Sequence, residues 1–161
     1  MVVRRIRDTD IAELAKVIKE TLIVSNGPDY PESEIQELID FYAPENIRES
    51  IKTIHLYVVC DGERIVGCGG IENMPDRKSE SILVTIFVLP EYQGKGIGKQ
   101  IIETLEQDDI FLQSERVEIH SSITARLFYE KMGYAYENGI TTPNEEGCIH
   151  FEKCRSLGDR K

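Results

Sequence analysis

Three glycines at alternate positions, Gly94, Gly96 and Gly98, interleave with Lys95, Ile97 and Lys99. Glycines so spaced keep Cβ atoms out of a turn, so successive backbone N–H groups can converge on one concavity. Ile97, Ile101, Ile102 and Leu105 follow at helical spacing, which sets the turn at a helix N-terminus with its unpaired donors and partial positive charge. An almost wholly apolar run, Ile82 to Leu89, precedes the turn and Pro90 ends it. Strand, bare turn and helix start together make a site for a phosphate or pyrophosphate. The alternative is a plain tight connection, for which three glycines are more than is needed. Two phosphate loops are excluded by spacing. Gln93 stands where a Walker loop needs its first glycine, and Gln100 follows Lys99 where Ser or Thr is required. Counted from Gly94 and Gly96, the third glycine of a dinucleotide fingerprint falls on Lys99.

The pattern that fits is Gln93-x-x-Gly96-x-Gly98, which resembles the Q/R-x-x-G-x-G/A signature of the GNAT superfamily, the acyl-CoA-dependent N-acetyltransferases. The run Ala125-Arg-Leu-Phe-Tyr-Glu-Lys-Met-Gly-Tyr134 is similar to that family's A-x-x-F-Y-x-x-x-G-F/Y signature. The likeness extends from about Val2 to Lys153, with its specific motifs between Glu80 and Tyr134.

Moving an acyl group from a thioester to an amine requires a held donor, an uncharged amine, a stabilised oxyanion and a proton for the leaving thiolate. The resemblance implies acetyl-CoA as donor, with its pyrophosphate on the turn formed by Gln93, Gly94, Lys95, Gly96, Ile97 and Gly98, and Lys99 as a supplementary charge. It implies that Phe87 and Val88 splay from the neighbouring strand at a bulge and pair with the pantetheine amides, although both suit ordinary core packing. The Val88 N–H then serves the oxyanion. It implies Tyr129 as general acid to the thiolate, where the bland alternative is an amphipathic tyrosine at the core edge. Ser122 occupies a position where family members commonly carry Asn to contact the coenzyme. A hydroxyl there can cap a helix or make one bond, but not the two-ended contact of an amide.

Removal of the amine proton falls to Glu80, where several family members carry a base, with Glu72 as rival; each is equally readable as a solvated carboxylate. The acceptor pocket is expected between the early helices, lined by Tyr30, Ile35, Phe41 and Tyr42, with Glu72 assigned to the same side. Asp29, Glu32 and Glu34 can attract a cation there or simply suit the first turn of a helix. His55, His120 and His150 lack a nucleophile at a recognisable spacing and read as structural. Cys68, conceivable as an acyl carrier, reads as an inert strand thiol.

These residues need a scaffold. Val2 to Arg7 reads as a first strand; Ile11, Leu14, Ala15, Ile18 and Leu22 as a helix stopped at Asn26-Gly27-Pro28; Pro31 to Tyr42 and Pro44 to about Lys52 as further helices. The period then changes to strand, with a hairpin turning at Asp61-Gly62, and a strand from Glu80 to Leu89 that reads as central and covered on both faces. After the glycine turn and its helix come a strand at Arg116 to Ser121, a helix beginning at Ser122, and strands at Tyr134 to Glu137 and Cys148 to Cys154. The expected fold is α/β, a mixed sheet with helices on both faces, as the resemblance also implies. Residues 1–155 are read as one N-acetyltransferase domain and 156–161 as a polar tail.

The chain has 161 residues and a formal net charge of −10, which argues against a nucleic-acid partner and suits either a small cationic amine or mere solubility. No apolar run matches a bilayer span and the N-terminus lacks a signal-peptide core, so no membrane partner and a cytoplasmic location are expected. No pair among the four cysteines has the short spacing of a zinc ribbon, and no metal is expected. Relatives often pair through late strands or exposed helices, so a homodimer is an option. The competing function class is an acyl-CoA-binding sensor without turnover, against which the presence of Tyr129 argues.

Overall fold

The computed structural model describes residues 1–155; the expected tail, residues 156–161, lies outside the described residues. Its strands are β1 (Val2–Arg5), β2 (His55–Asp61), β3 (Arg64–Asn73), β4 (Glu80–Val88), β5 (Arg116–Ser122), β6 (Ala135–Tyr136) and β7 (Cys148–Cys154). The helices are α1 (Ile11–Thr21), α2 (Glu32–Phe41), α3 (Pro44–Ser50), α4 (Ile97–Leu105), α5 (Asp109–Leu112) and α6 (Arg126–Lys131). They join in one seven-stranded sheet of order β1-β2-β3-β4-β5-β7-β6. Every neighbouring pair is antiparallel except β4 and β5.

Seven consecutive residues of β3, Ile65 to Ile71, are buried, although neighbours on a strand point to opposite faces. Both faces of the sheet are therefore covered there. Ile97 and Ile101 of α4 lie over the face that Gly67 presents, and α1 packs on β3 and β4 with Ile11, Leu14 and Ile18 wholly buried. No helix among the described residues is long and apolar enough to cross a membrane.

The sheet is not uniform. β4 pairs with β5 only over Glu80–Leu83 against Arg116–Ile119. Beyond Leu83 the two parallel strands part, and β4 changes from alternately buried to half-buried residues. The cause lies in its other edge. Cys68 pairs with Phe87 but Gly70 with Val84, so Thr85 and Ile86 together oppose Gly69. This is a β-bulge, which bends the strand that carries the extra residue. Thr85 takes φ +57°, a left-handed conformation that costs a β-branched residue on the order of 1–2 kcal/mol. The Cys68 thiol donates to the Thr85 carbonyl at 3.1 Å and holds the bulge in place.

Four local expectations shift. Ser122 still pairs with Cys148, so the chain stays in strand and α6 begins at Arg126, after a turn that Ser122 closes through Ala125 N–H to its carbonyl (3.3 Å) and hydroxyl (3.2 Å). β6 is only two residues long. A π-helical turn, Leu22–Asn26, prolongs α1 toward the glycine break. The short α5 has no counterpart in the sequence pattern, since four residues are too few to show a period.

Helix α5 depends on Asp108. Its buried carboxylate caps Ile110 N–H at 2.8 Å and accepts from the Tyr57 hydroxyl at 2.7 Å and from His55 Nδ1 at 2.9 Å. Burial works against this carboxyl's ionisation, but the Tyr57, Ile110 and His55 hydrogen bonds outweigh it and hold it below the usual range. Asp108→Ala should cost about 3 kcal/mol in urea unfolding near neutral pH, as a lost cap and lost charge-assisted bonds. A lowered folded value stabilises above the unfolded carboxylate pKa and is lost as pH falls through the folded one. The parent–variant gap should therefore close below about pH 4.

Candidate active site

Where β4 and β5 part, they leave a cavity of about 610 Å³. Bulge residues Thr85 and Ile86 form one wall, Ile119 to Ser122 of β5 another, and α2 the roof. Of the residues singled out from the sequence, Tyr30, Glu34, Phe41, Tyr42, Phe87, Ser122 and Tyr129 meet here. The rings of Tyr42 and Phe87 pack edge-on at 5.3 Å. Burial pushes the Tyr42 phenol up to about 12, with Thr85 close by lowering it in part.

Val88 ends β4 and leads through a 3-10 turn, Pro90–Tyr92, into the glycine stretch. The Gln93 side chain donates to the Val88 carbonyl at 2.9 Å and to Ser25 Oγ at 2.8 Å, which ties the loop to the end of α1's extension. Gly96 caps α4 with φ +83°, open to glycine at little cost. Since Gln100 N–H is the first to bond back, to the Gly96 carbonyl, the amides of Ile97 to Lys99 form the free first turn. Gly98 serves packing as well, because a Cβ there would stand 3.0 Å from the Phe128 ring. Lys95 lies over the Tyr92 ring at 5.2 Å and Lys99 sits 3.9 Å from Glu103, so both remain near the loop.

Tyr129 is 5% exposed, wedged among Phe128, Tyr134 and Phe151. Its hydroxyl makes no hydrogen bond to another described residue and is reached from the cavity that Tyr129 lines. Burial, with Tyr42 and Cys68 close by, pushes that phenol well above its ordinary value. Burial likewise pushes the Cys68 thiol up to about 12. A thiol so protonated is no nucleophile near neutral pH.

The opposite side of the cavity is acidic. Glu34 and Glu37 of α2 and Glu145 and Glu146 before β7 line it, and none makes an ion pair among the described residues. Asp29 is engaged elsewhere, accepting from Thr124 Oγ1 at 2.6 Å. Tyr30 is a latch: its hydroxyl donates to Gly147 carbonyl at 2.8 Å and accepts from Ile123 N–H at 2.7 Å, joining the α1–α2 connection to both loops beside the cavity.

Several expected residues do not line this cavity, among them Glu32 and Val88. Ile35 is 6% exposed and belongs to the core. Glu72 pairs with Ile82 on β4 and lies 3.5 Å from Thr53 Oγ1. Glu80 sits at the closed end of the β4–β5 pair, directly opposite Arg116 and bonded to it at 2.8 Å. One residue read as structural does line the cavity, His120. The signal for it was present: Glu118 and His120 are two apart on a strand and so share a face.

A mixed sheet whose parallel pair parts at a bulge, with an amide-lined glycine turn after the bulged strand, is the architecture of a GNAT acetyltransferase. Residues 26–151 match the family described as the acetyltransferase (GNAT) domain, and the chain belongs to that family. An uncharacterized acetyltransferase of Streptococcus pyogenes serotype M1 is 35% identical over 77 residues, 48% of this chain and 53% of that protein. The chain thus spans about half the length of the curated relatives it matches. Among solved structures, the PaiA N-acetyltransferase of Thermoplasma acidophilum in complex with coenzyme A superposes with a TM-score of 0.79 at 18% identity, over 95% of this chain and 98% of that one. A GCN5-related N-acetyltransferase of Rhodopseudomonas palustris gives 0.77 at 16% identity, over 95% and 94%.

Proposed function

We propose that residues 1–155 act as one N-acetyltransferase domain that moves an acetyl group from acetyl-CoA to a primary amine of a small cationic acceptor, by direct attack with both substrates bound. The observation that carries this reading is the unpartnered Tyr129 hydroxyl in the cavity where β4 and β5 part. A hydroxyl that opens on the cavity and bonds no side chain is free to donate to a bound ligand. In the reading, the free amides of Ile97 to Lys99 and the turn from Gln93 to Gly96 hold the pyrophosphate. The parted edge of β4 at Phe87 and Val88 offers backbone groups to the pantetheine arm, as an edge strand receives an added one. The donor supplies the activated acetyl thioester. Tyr129 gives the departing sulfur its proton, with no acyl-cysteine step through Cys68.

The acceptor class follows from the rim. Four unpaired carboxylates, Glu34, Glu37, Glu145 and Glu146, favour a molecule with a second positive charge beyond the reacting amine. Coenzyme A binding should raise the melting temperature by several degrees at ligand concentrations about 100-fold above Kd. Thiol release from acetyl-CoA should then be read with 1,4-diaminobutane, butylamine, glucosamine and a lysine-containing peptide. The diamine should show a KM about tenfold below that of butylamine, rising with added salt. A melting shift without thiol release from any amine would leave a coenzyme-binding sensor instead. No shift at all would end the reading.

A further inference from the structure

On β5, Arg116, Glu118, His120 and Ser122 share the face opposite to that of Val117, Ile119 and Ser121. Glu118 is 4% exposed, and its carboxylate receives Arg116 Nη1 at 2.7 Å, Arg77 Nη1 at 3.3 Å and His120 Nε2 at 2.9 Å. Burial opposes the ionisation of Glu118, but the Arg116 and His120 hydrogen bonds prevail and hold its carboxyl below the usual range. An ionised carboxylate only accepts, so in the neutral ring Nε2 must carry the hydrogen. That leaves Nδ1 as a bare lone pair, and it has no hydrogen-bond partner among the described residues.

The ring is held at its face as well as its edge. His150, opposite His120 on β7, stacks on it with centroids 3.8 Å apart and planes within 4°. His150 is itself placed by Asn144, 3.3 Å from its Nε2, while Glu137 Oε2 lies 3.4 Å from its Nδ1 without a hydrogen bond. His120 lines the same cavity as Tyr129 and the acidic rim.

The geometry points to His120 as the group that takes the proton from the acceptor amine, with Glu118 as its positioning residue. The inference rests on the acetyl-transfer reading above. Its necessity comes from the surroundings. Glu34 and Glu37 face the cavity from α2, and Glu145 and Glu146 from the loop before β7. Behind Glu118, the Arg116 charge is shared with Glu80, Glu137 and Glu152. Negative charge on this scale keeps a bound amine in its ammonium form, which has no lone pair to attack with. The ammonium gives one proton to His120 Nδ1, which passes it to solvent. Its nitrogen then bonds to the thioester carbonyl carbon and the carbon–sulfur bond breaks. As the amide forms, the nitrogen loses a second proton to His120 Nδ1, free again after its first proton went to solvent. Tyr129 gives its own proton to sulfur and regains one from solvent through the cavity, so the net exchange of this step is one proton from nitrogen to sulfur.

The test is thiol release from acetyl-CoA with 1,4-diaminobutane, compared between parent, His120→Ala, His120→Gln and Glu118→Gln across about pH 6–10, with melting temperatures as a folding control. At pH 7 the two His120 variants should fall about 100-fold in kcat/KM, and Glu118→Gln by a smaller factor. The deficit should shrink to less than about tenfold near pH 10, where roughly a quarter of an amine with a lysine-like pKa is neutral without help. Added imidazole should restore part of the His120→Ala rate at pH 7. Variants that match the parent, or that lose one constant factor at every pH without imidazole rescue, overturn the assignment. A parent that releases no thiol fails the acetyl-transfer reading itself, and His120 loses its role with it.

Discussion

Arg116→Met should destabilise the protein by about 3 kcal/mol near pH 7, because it strips four carboxylates of their common partner. The Arg116 side chain is 18% exposed and reaches Glu80 at 2.8 Å, Glu118 at 2.7 Å, Glu152 at 2.8 Å and Glu137 at 3.6 Å. Burial alone would lower its pKa, but the bonds to Glu152, Glu118 and Glu80 raise it above its ordinary value. Methionine keeps much of the length and none of the charge. Arg77, 3.9 Å from Glu80 and 3.3 Å from Glu118, is half-exposed and too far out to replace it. The lowered carboxyl of Glu118 stabilises the parent above the unfolded carboxylate pKa, and that share is lost as pH falls through the folded value. In the variant the same carboxylates repel one another, so protonation relieves them. The gap between the two proteins should therefore be widest above about pH 5 and narrow toward pH 3. Urea unfolding at the two pH values reads both numbers. A loss under 1 kcal/mol, or an equal loss at both, would mean that solvent screens the cluster as it does a surface pair.

This cluster also shows where sequence reading reaches its end. Glu80 looked available for chemistry because its position in the chain, at the start of β4, resembles that of a base. What it meets is decided by the register of β4 on β5, which sets it opposite Arg116. No periodicity along the chain reports a register between strands whose starts are 36 residues apart. The same limit hides His120. Its partner on the strand, Glu118, was legible by the two-residue period, but the stacking ring of His150 arrives through β7.

Local features fared better. The glycine turn was readable because strand, proline, bare turn and helix start all lie within one short stretch, and each rests on backbone physics alone. Even there, the role of Gly98 was half seen, since the Phe128 ring it accommodates belongs to α6. Ile35 illustrates the opposite limit. Helical spacing shows that it faces inward, but not whether the space it faces is a cavity or solid core; here it is core. The parting of β4 from β5 was expected only through the family resemblance. Its physical source, Thr85 at a positive φ, is the conformation that a β-branched residue least announces.

Tyr129→Phe should lower kcat by about 100-fold while leaving KM for acetyl-CoA near its parent value, as expected for loss of a proton donor used in the transition state. The fold should not suffer. Phenylalanine keeps the ring among Phe128, Tyr134 and Phe151, and the hydroxyl it removes has no partner to strand. Melting temperature should stay level, because the hydroxyl opens on the cavity and makes no bond that its loss would break. The pH dependence separates this residue from His120. Burial raises the Tyr129 phenol so far that its proton is present throughout the range in which the protein can be assayed. Its loss should thus cost the same factor from about pH 6 to 10, whereas the His120→Ala deficit closes as the amine becomes neutral. A Tyr129→Phe protein with full turnover would return Tyr129 to the core edge. A deficit that varied with pH in step with His120→Ala would place both residues on the amine proton and leave the sulfur to water.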